Sequence, residues 1–76
     1  MNPPDIALLI AAVSRYVPGI KEPSVRVNRD GGTGYFVCTL DDKMRAVFWE
    51  RLSYGLWVAL KTDEQIAIEI ARELKA

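Results

Sequence analysis

Apolar residues along this chain repeat with two different periods. In "NPPDIALLIAAVSRYVPG", Ile6, Leu9, Ile10, Val13 and Val17 recur at the spacing of one helical face, and Pro18 with Gly19 stops the segment. Asn2 is the expected N-cap, Pro3 and Pro4 suit a first turn whose amides have no partner anyway, and Asp5 complements the positive end of the helix. Leu8, Ala11 and Ala12 widen the stripe, as expected of a helix held between the domain and a neighbouring element. At the other end, "TDEQIAIEIARELKA" carries a capping box in Thr62 and Gln65, acids in its first turn at Asp63 and Glu64, and Lys75 near its negative end. Ile66, Ala67, Ile70, Ala71 and Leu74 fill one face of that second helix.

Between the helices the period falls to two. After the connector "IKEPS", whose Pro23 favours extended backbone, "SVRVN" sets Val25 and Val27 against Ser24, Arg26 and Asn28. "RDGGTG" turns the chain, and "YFVCTL" returns as a second strand. The segment "DDKMRAVFWERLSYG" fits two patterns. As a helix, Asp41 caps it, Met44, Val47, Phe48 and Leu52 form its stripe, and Gly55 ends it. As a strand after a tight "DDK" turn, Met44, Ala46 and Phe48 face one way while Arg45, Val47, Trp49 and Arg51 face the other. The "VFW" cluster and the short polar turn favour the strand. "GLWVALK" then reads as a further strand, apolar throughout.

The expected fold is therefore α+β, with an N-terminal helix, a four-stranded antiparallel meander and a C-terminal helix in a single domain over residues 1–76. The alternative, with residues 42–54 helical, runs α-β-β-α-β-α. No internal repeat, linker or low-complexity tract interrupts either arrangement. A chain of 76 residues buries only about 60% of its unfolded surface, so a partner or a second copy would add to a small margin of stability.

Charge narrows the partners. Ten Lys plus Arg balance ten Asp plus Glu, so no global field draws the molecule to nucleic acid or to an anionic membrane. Seven basic and five acidic residues lie between Arg15 and Arg51, against three and four from Lys61 onward, which makes the middle mildly basic. The longest apolar run, "IALLIAAV", is far short of the roughly 20 residues that span a bilayer. No basic run followed by an apolar core and a cleavage site opens the chain, and the expected address is a cytoplasm with no membrane partner. Cys38 is the only cysteine, which excludes an intramolecular disulfide and suits a buried strand position.

Catalytic signatures are missing. With no histidine in the chain, Ser14, Ser24 and Ser53 have no Ser-His partner. The adjacent carboxylates Asp41–Asp42 and Asp63–Glu64 are accounted for by turn propensity and by the helix dipole. No metal-spaced ligand set and no cofactor motif occurs, and "RDGGTG" runs from strand to strand without the lysine of a P-loop. The expectation is a protein without catalytic residues, metal or cofactor.

What remains is an aromatic and basic set. If both helices cover one side of the meander, the other side carries Tyr35, Val37, Arg45, Val47, Trp49 and Arg51, joined by Trp57; if one helix covers each side, these residues are core. Tryptophan, tyrosine and arginine are enriched in binding hot spots. The leading expectation is a protein-interaction module, either a homodimer formed through the sheet or a small regulator or inhibitor docking on a larger assembly, of the kind common among phage and mobile-element accessory proteins. The alternative is a single-stranded nucleic-acid platform built on Arg26, Arg29, Arg45, Trp49 and Arg51, with bases on rings and phosphates on cations.

Three outline resemblances accompany these readings. "SYGLWVALKTDEQIAIEIAREL" resembles the strand and capped helix of the single-stranded-DNA-binding coactivator family, and "GYFVCTLDDKMRAVF" resembles a hairpin of OB-fold proteins. The order helix, strands, helix resembles double-stranded-RNA-binding domains, although Thr62, Asp63, Glu64 and Gln65 stand where that family begins its final helix with lysines. Each implies nucleic-acid binding, and none assigns the chain to a family.

Overall fold

A computed structural model describes residues 2–55 and 57–76. The chain folds as α1 (Ile6–Tyr16), β1 (Lys21–Val27), β2 (Thr33–Leu40), β3 (Lys43–Glu50), β4 (Leu52–Ser53), β5 (Ala59–Leu60) and α2 (Asp63–Lys75). The fold is α+β, with helices at both ends as expected. Residues 42–54 are not helical: Lys43–Glu50 pairs along its whole length with β2, which overturns the alternative reading.

The meander contains three strands, in the order β1-β2-β3. The expected fourth strand, "GLWVALK", does not join it. Only Ala59 and Leu60 of that segment pair, opposite Leu60's and Ala59's partners Leu52 and Ser53, in a separate two-stranded ribbon; Leu56 lies outside the described residues. The segment has the apolar composition of a strand, but too few of its residues find a neighbouring backbone to pair with.

Two turns set the sheet. Between β1 and β2, the Asp30 carboxylate accepts hydrogen bonds from the amides of Gly32 at 2.8 Å and Thr33 at 3.1 Å, and from the Thr33 hydroxyl at 3.2 Å. These bonds, led by the one from Gly32, hold the Asp30 carboxyl below its ordinary pKa. Gly31 takes a φ of 70°, and its amide donates to the Asn28 carbonyl. Gly31 and Gly32 are thus turn residues of a hairpin, as the sequence implies, whereas Thr33 and Gly34, expected in the turn, already belong to β2.

The second turn has only two residues. Leu40 pairs with Lys43, and the intervening Asp41 and Asp42 have φ of 53° and 62°, the signature of a type I′ turn. Lys43, expected in the turn, is the first residue of β3. Odd-numbered residues of β2 consequently stand opposite even-numbered residues of β3, as Tyr35 does Phe48 and Val37 does Ala46, and even ones stand opposite odd, as Phe36 does Val47.

Both helices lie on one side of the sheet. α1 packs on α2, with α1 beside β1 and α2 beside β3. Leu9, Ala12, Val13 and Val17 of the first helix meet Ile66, Ala67, Ile70, Ala71 and Leu74 of the second over Phe36, Cys38, Val47 and Trp49. Every apolar position assigned to the face of α2 is buried. The capping box forms as read, with the Gln65 amide donating to Thr62 Oγ1 at 3.1 Å and the Thr62 amide donating to Gln65 Oε1 at 2.8 Å. The cap of α1 is Asp5 and not Asn2: its carboxylate accepts from the Leu8 amide at 3.2 Å, so the two prolines precede the helix and do not form its first turn.

The acids of α2's first turn do more than offset a dipole. Asp63 takes the Arg51 guanidinium at 3.0 Å and the Asp5 amide at 3.2 Å, joining the end of β3 to the start of α1. Glu64 takes Arg15 at 3.2 Å and the Tyr16 hydroxyl, whose hydrogen bond to that carboxylate raises the Tyr16 pKa.

A large residue fits against an absent one near the end of the β2–β3 ladder. Gly34 and Trp49 are cross-strand partners, and a β-carbon at Gly34 would lie 2.2 Å from the Arg26 carbonyl and 2.4 Å from Trp49 Cζ2. Gly34→Ala is therefore expected to cost about 3 kcal/mol or more, because backbone and indole must both shift. Gly55→Ala, whose nearest neighbour would be Ser53 Oγ at 3.7 Å, stays within about 1 kcal/mol. Urea unfolding of both variants checks the contrast.

Candidate functional site

The face of the sheet turned away from the helices is uncovered. Its central row runs across all three strands as Arg26, Tyr35 and Phe48. The next row is Ser24, Val37 and Ala46, followed by Lys21, Thr39 and Met44; Thr33 and Glu50 flank the other side. Tyr35 and Phe48 are 44% and 47% exposed and touch edge to face, with ring centroids 5.4 Å apart at 60°. Met44 is 82% exposed. This is a contiguous apolar strip framed by hydroxyls, with two cations, Lys21 and Arg26, on the β1 edge and one anion, Glu50, on the β3 edge.

An open face bearing aromatic residues is what the two-layer reading anticipates, but only part of the expected set occupies it. Tyr35 and Val37 are there. Arg45, Val47, Trp49 and Arg51 are not, because the two-residue turn shifts β3 by one position and a shift of one turns every side chain to the opposite face. Val47 is buried and Trp49 is 2% exposed, both under the helices. Arg45 donates to the Leu74 carbonyl at 3.2 Å, and Arg51 is held by Asp63. The residues that take their place are Ala46, Phe48 and Met44, together with Glu50.

The same shift dissolves the nucleic-acid set. Arg26 is on the open face and Arg29 in the exposed β1–β2 loop, while Arg45, Trp49 and Arg51 belong to the helix side. Trp49 buries its ring at a price, since its Nε1 has no hydrogen-bond partner among the described residues. Such an orphan costs about 1–3 kcal/mol, against about 3–5 kcal/mol associated with a buried aromatic side chain, so packing wins.

Trp57 stands apart from both faces, in the connection between β4 and β5. It is 90% exposed with a φ of 65°, and Tyr54, Val58 and Leu60 around it are exposed as well. Exposed apolar residues in this density are informative in a way that a single one is not. Between this ribbon, the end of β3 and α2 lies an open groove of about 710 Å³, crossed by the Lys61–Glu69 ion pair at 2.9 Å.

Little chemistry is available elsewhere. Cys38 is buried in β2, and desolvation raises its thiol pKa, which leaves it protonated and unreactive at neutral pH. Among the described residues, no group of three or more His, Cys, Asp or Glu could hold a metal ion, and no helix is long and apolar enough to cross a membrane. Comparison with protein-family models, with curated proteins and with solved structures finds no match.

Trp49→Ala is expected to destabilise the fold by about 3–5 kcal/mol, whereas Phe48→Ala on the opposite face costs less than about 1 kcal/mol. Chemical denaturation separates the two. Trp57→Gly, which relieves a left-handed backbone and removes an exposed ring, leaves stability unchanged or raises it by up to about 1 kcal/mol, measured in the same way.

Proposed function

We propose that this chain is a non-catalytic interaction module that binds protein through the uncovered face of its sheet. The observation that carries the reading is the exposed Tyr35–Phe48 pair with Met44 and Val37 beside it, an apolar strip that the fold itself does not cover. Aromatic residues supply large contact area at little conformational cost, and a centre of that kind with a polar rim has the composition of a binding hot spot. The Trp57 ribbon adds a second exposed anchor.

A protein partner suits this face better than a nucleic acid. Its charged residues are two cations, Lys21 and Arg26, set two rows apart on one edge, and a glutamate on the other, too sparse to follow a run of phosphates. An uncovered apolar face fits a regulator or inhibitor that docks on a larger assembly, or a self-associating unit. A cytoplasmic address agrees with a lone cysteine that needs no oxidising compartment.

Photocrosslinking tests the reading directly. A photoreactive residue in place of Met44, on the open face, is expected to give discrete protein adducts in cells, while the same residue in place of exposed Glu73 on α2 does not. The Met44 adducts disappear when Tyr35→Ser and Phe48→Ser are combined. Identical adduct patterns from the two positions, or adducts indifferent to the double substitution, would remove the open face as the binding surface.

A further inference from the structure

We infer that the occupant of the open face is a second copy of this chain, packed face to face about a two-fold axis that runs along β2. The inference rests on the interaction reading above and names its partner. Its basis is the placement of charge. Arg26 lies on the β1 edge of the face, in the row of Tyr35 and Phe48, and Glu50 lies on the β3 edge one row further on. Both are exposed, and among the described residues neither takes part in an ion pair or a side-chain hydrogen bond. Arg51 and Arg45 are engaged on the helix side, while Lys21, two rows from Arg26 on the same β1 edge, and Arg29 in the β1–β2 loop are further exposed cations.

A two-fold axis along β2 lays β1 of one copy over β3 of the other and keeps the rows aligned. Tyr35 then meets Tyr35 of the second copy at the centre. Arg26 comes over the Phe48 end of the opposite β3, with Glu50 one step of about 7 Å along that strand, within the span of an arginine and a glutamate reaching across sheets about 10 Å apart. The pair forms twice, and like charges are held on opposite edges. A surface carrying its own complement in this way is what an isologous contact requires.

Size sets the expected strength. Eight residues of β2 by three strands give about 400 Å² of flat area per copy, so about 800 Å² for two copies, below the roughly 1,200 Å² at which stable interfaces begin and in the range of weak, transient ones. The dimer is accordingly reversible.

Sedimentation velocity of the full chain over a concentration series, with circular dichroism confirming the fold of each variant, tests the inference. The wild type is expected to pass from monomer to dimer as concentration rises to the millimolar range. Arg26→Glu and Glu50→Arg should each weaken association by about tenfold, because each sets like charges together twice per dimer. The combined Arg26→Glu/Glu50→Arg chain, with the pair reversed, should return to within about threefold of the wild type. A chain monomeric at every concentration overturns the second-copy inference and leaves the interaction reading to the crosslinking experiment. A dimer indifferent to both single substitutions, or a double variant no better than the singles, overturns it as well.

Discussion

The two left-handed aspartates between β2 and β3 decide which residues of this protein are core. Asp41 and Asp42 close the hairpin in two residues, and that length pairs odd positions with even ones. Trp49 and Val47 therefore join Phe36 and Cys38 beneath the helices, while Phe48 joins Tyr35 in the open. One more residue in the turn would put Trp49 beside Tyr35 and drive Phe48 and Met44 toward the helices. Aspartate tolerates the left-handed region better than most side chains, at a local cost of about 1–2 kcal/mol per residue that the tertiary packing must offset.

Around that core the polar contacts orient more than they stabilise. Exposed ion pairs such as Arg15–Glu64 contribute no more than about 1 kcal/mol each. Their placement matters more. Asp63 and Glu64, in the first turn of α2, reach the start of α1, its end and the last residue before β4, so one helical turn ties both ends of α1 to the end of the sheet. The bulge in β1 has a related effect. Glu22 has a φ of 52° and Pro23 lacks an amide donor, which makes that edge of the sheet a poor template for another strand.

How far the fold can be read from the sequence depends on whether local signals agree. In α2 the capping box, the acids and the apolar stripe all point the same way, and the helix forms where they place it. In α1 the stripe is clear but the cap is not, because Asn2 and Asp5 are both good N-caps and only the position of the prolines relative to the first hydrogen bond separates them. The strand over Lys43–Glu50 is legible from "VFW", whereas its facing is not. Periodicity groups Tyr35 with Val37 and Arg45 with Val47 and Trp49 correctly within each strand, but the relation between the two groups rests on turn length alone, and "DDK" can be divided in two ways. The open face was legible as an architecture of helices on one side; half of its residues were not. "GLWVALK" misleads for another reason, since a strand is defined by its neighbour and composition says nothing about whether one is present.

The contact of Gly34 with Trp49 also constrains how this sequence can drift. The two positions share a single volume across neighbouring strands. Exchanging large for small at both would preserve that volume, but a chain changing one position at a time must pass through a form that is either overfilled or hollow, and a domain this small has little stability to spend on the passage. The pair thus behaves as one heritable unit written at two sites, and substitutions elsewhere in the sheet are accepted or refused according to whether they leave it intact.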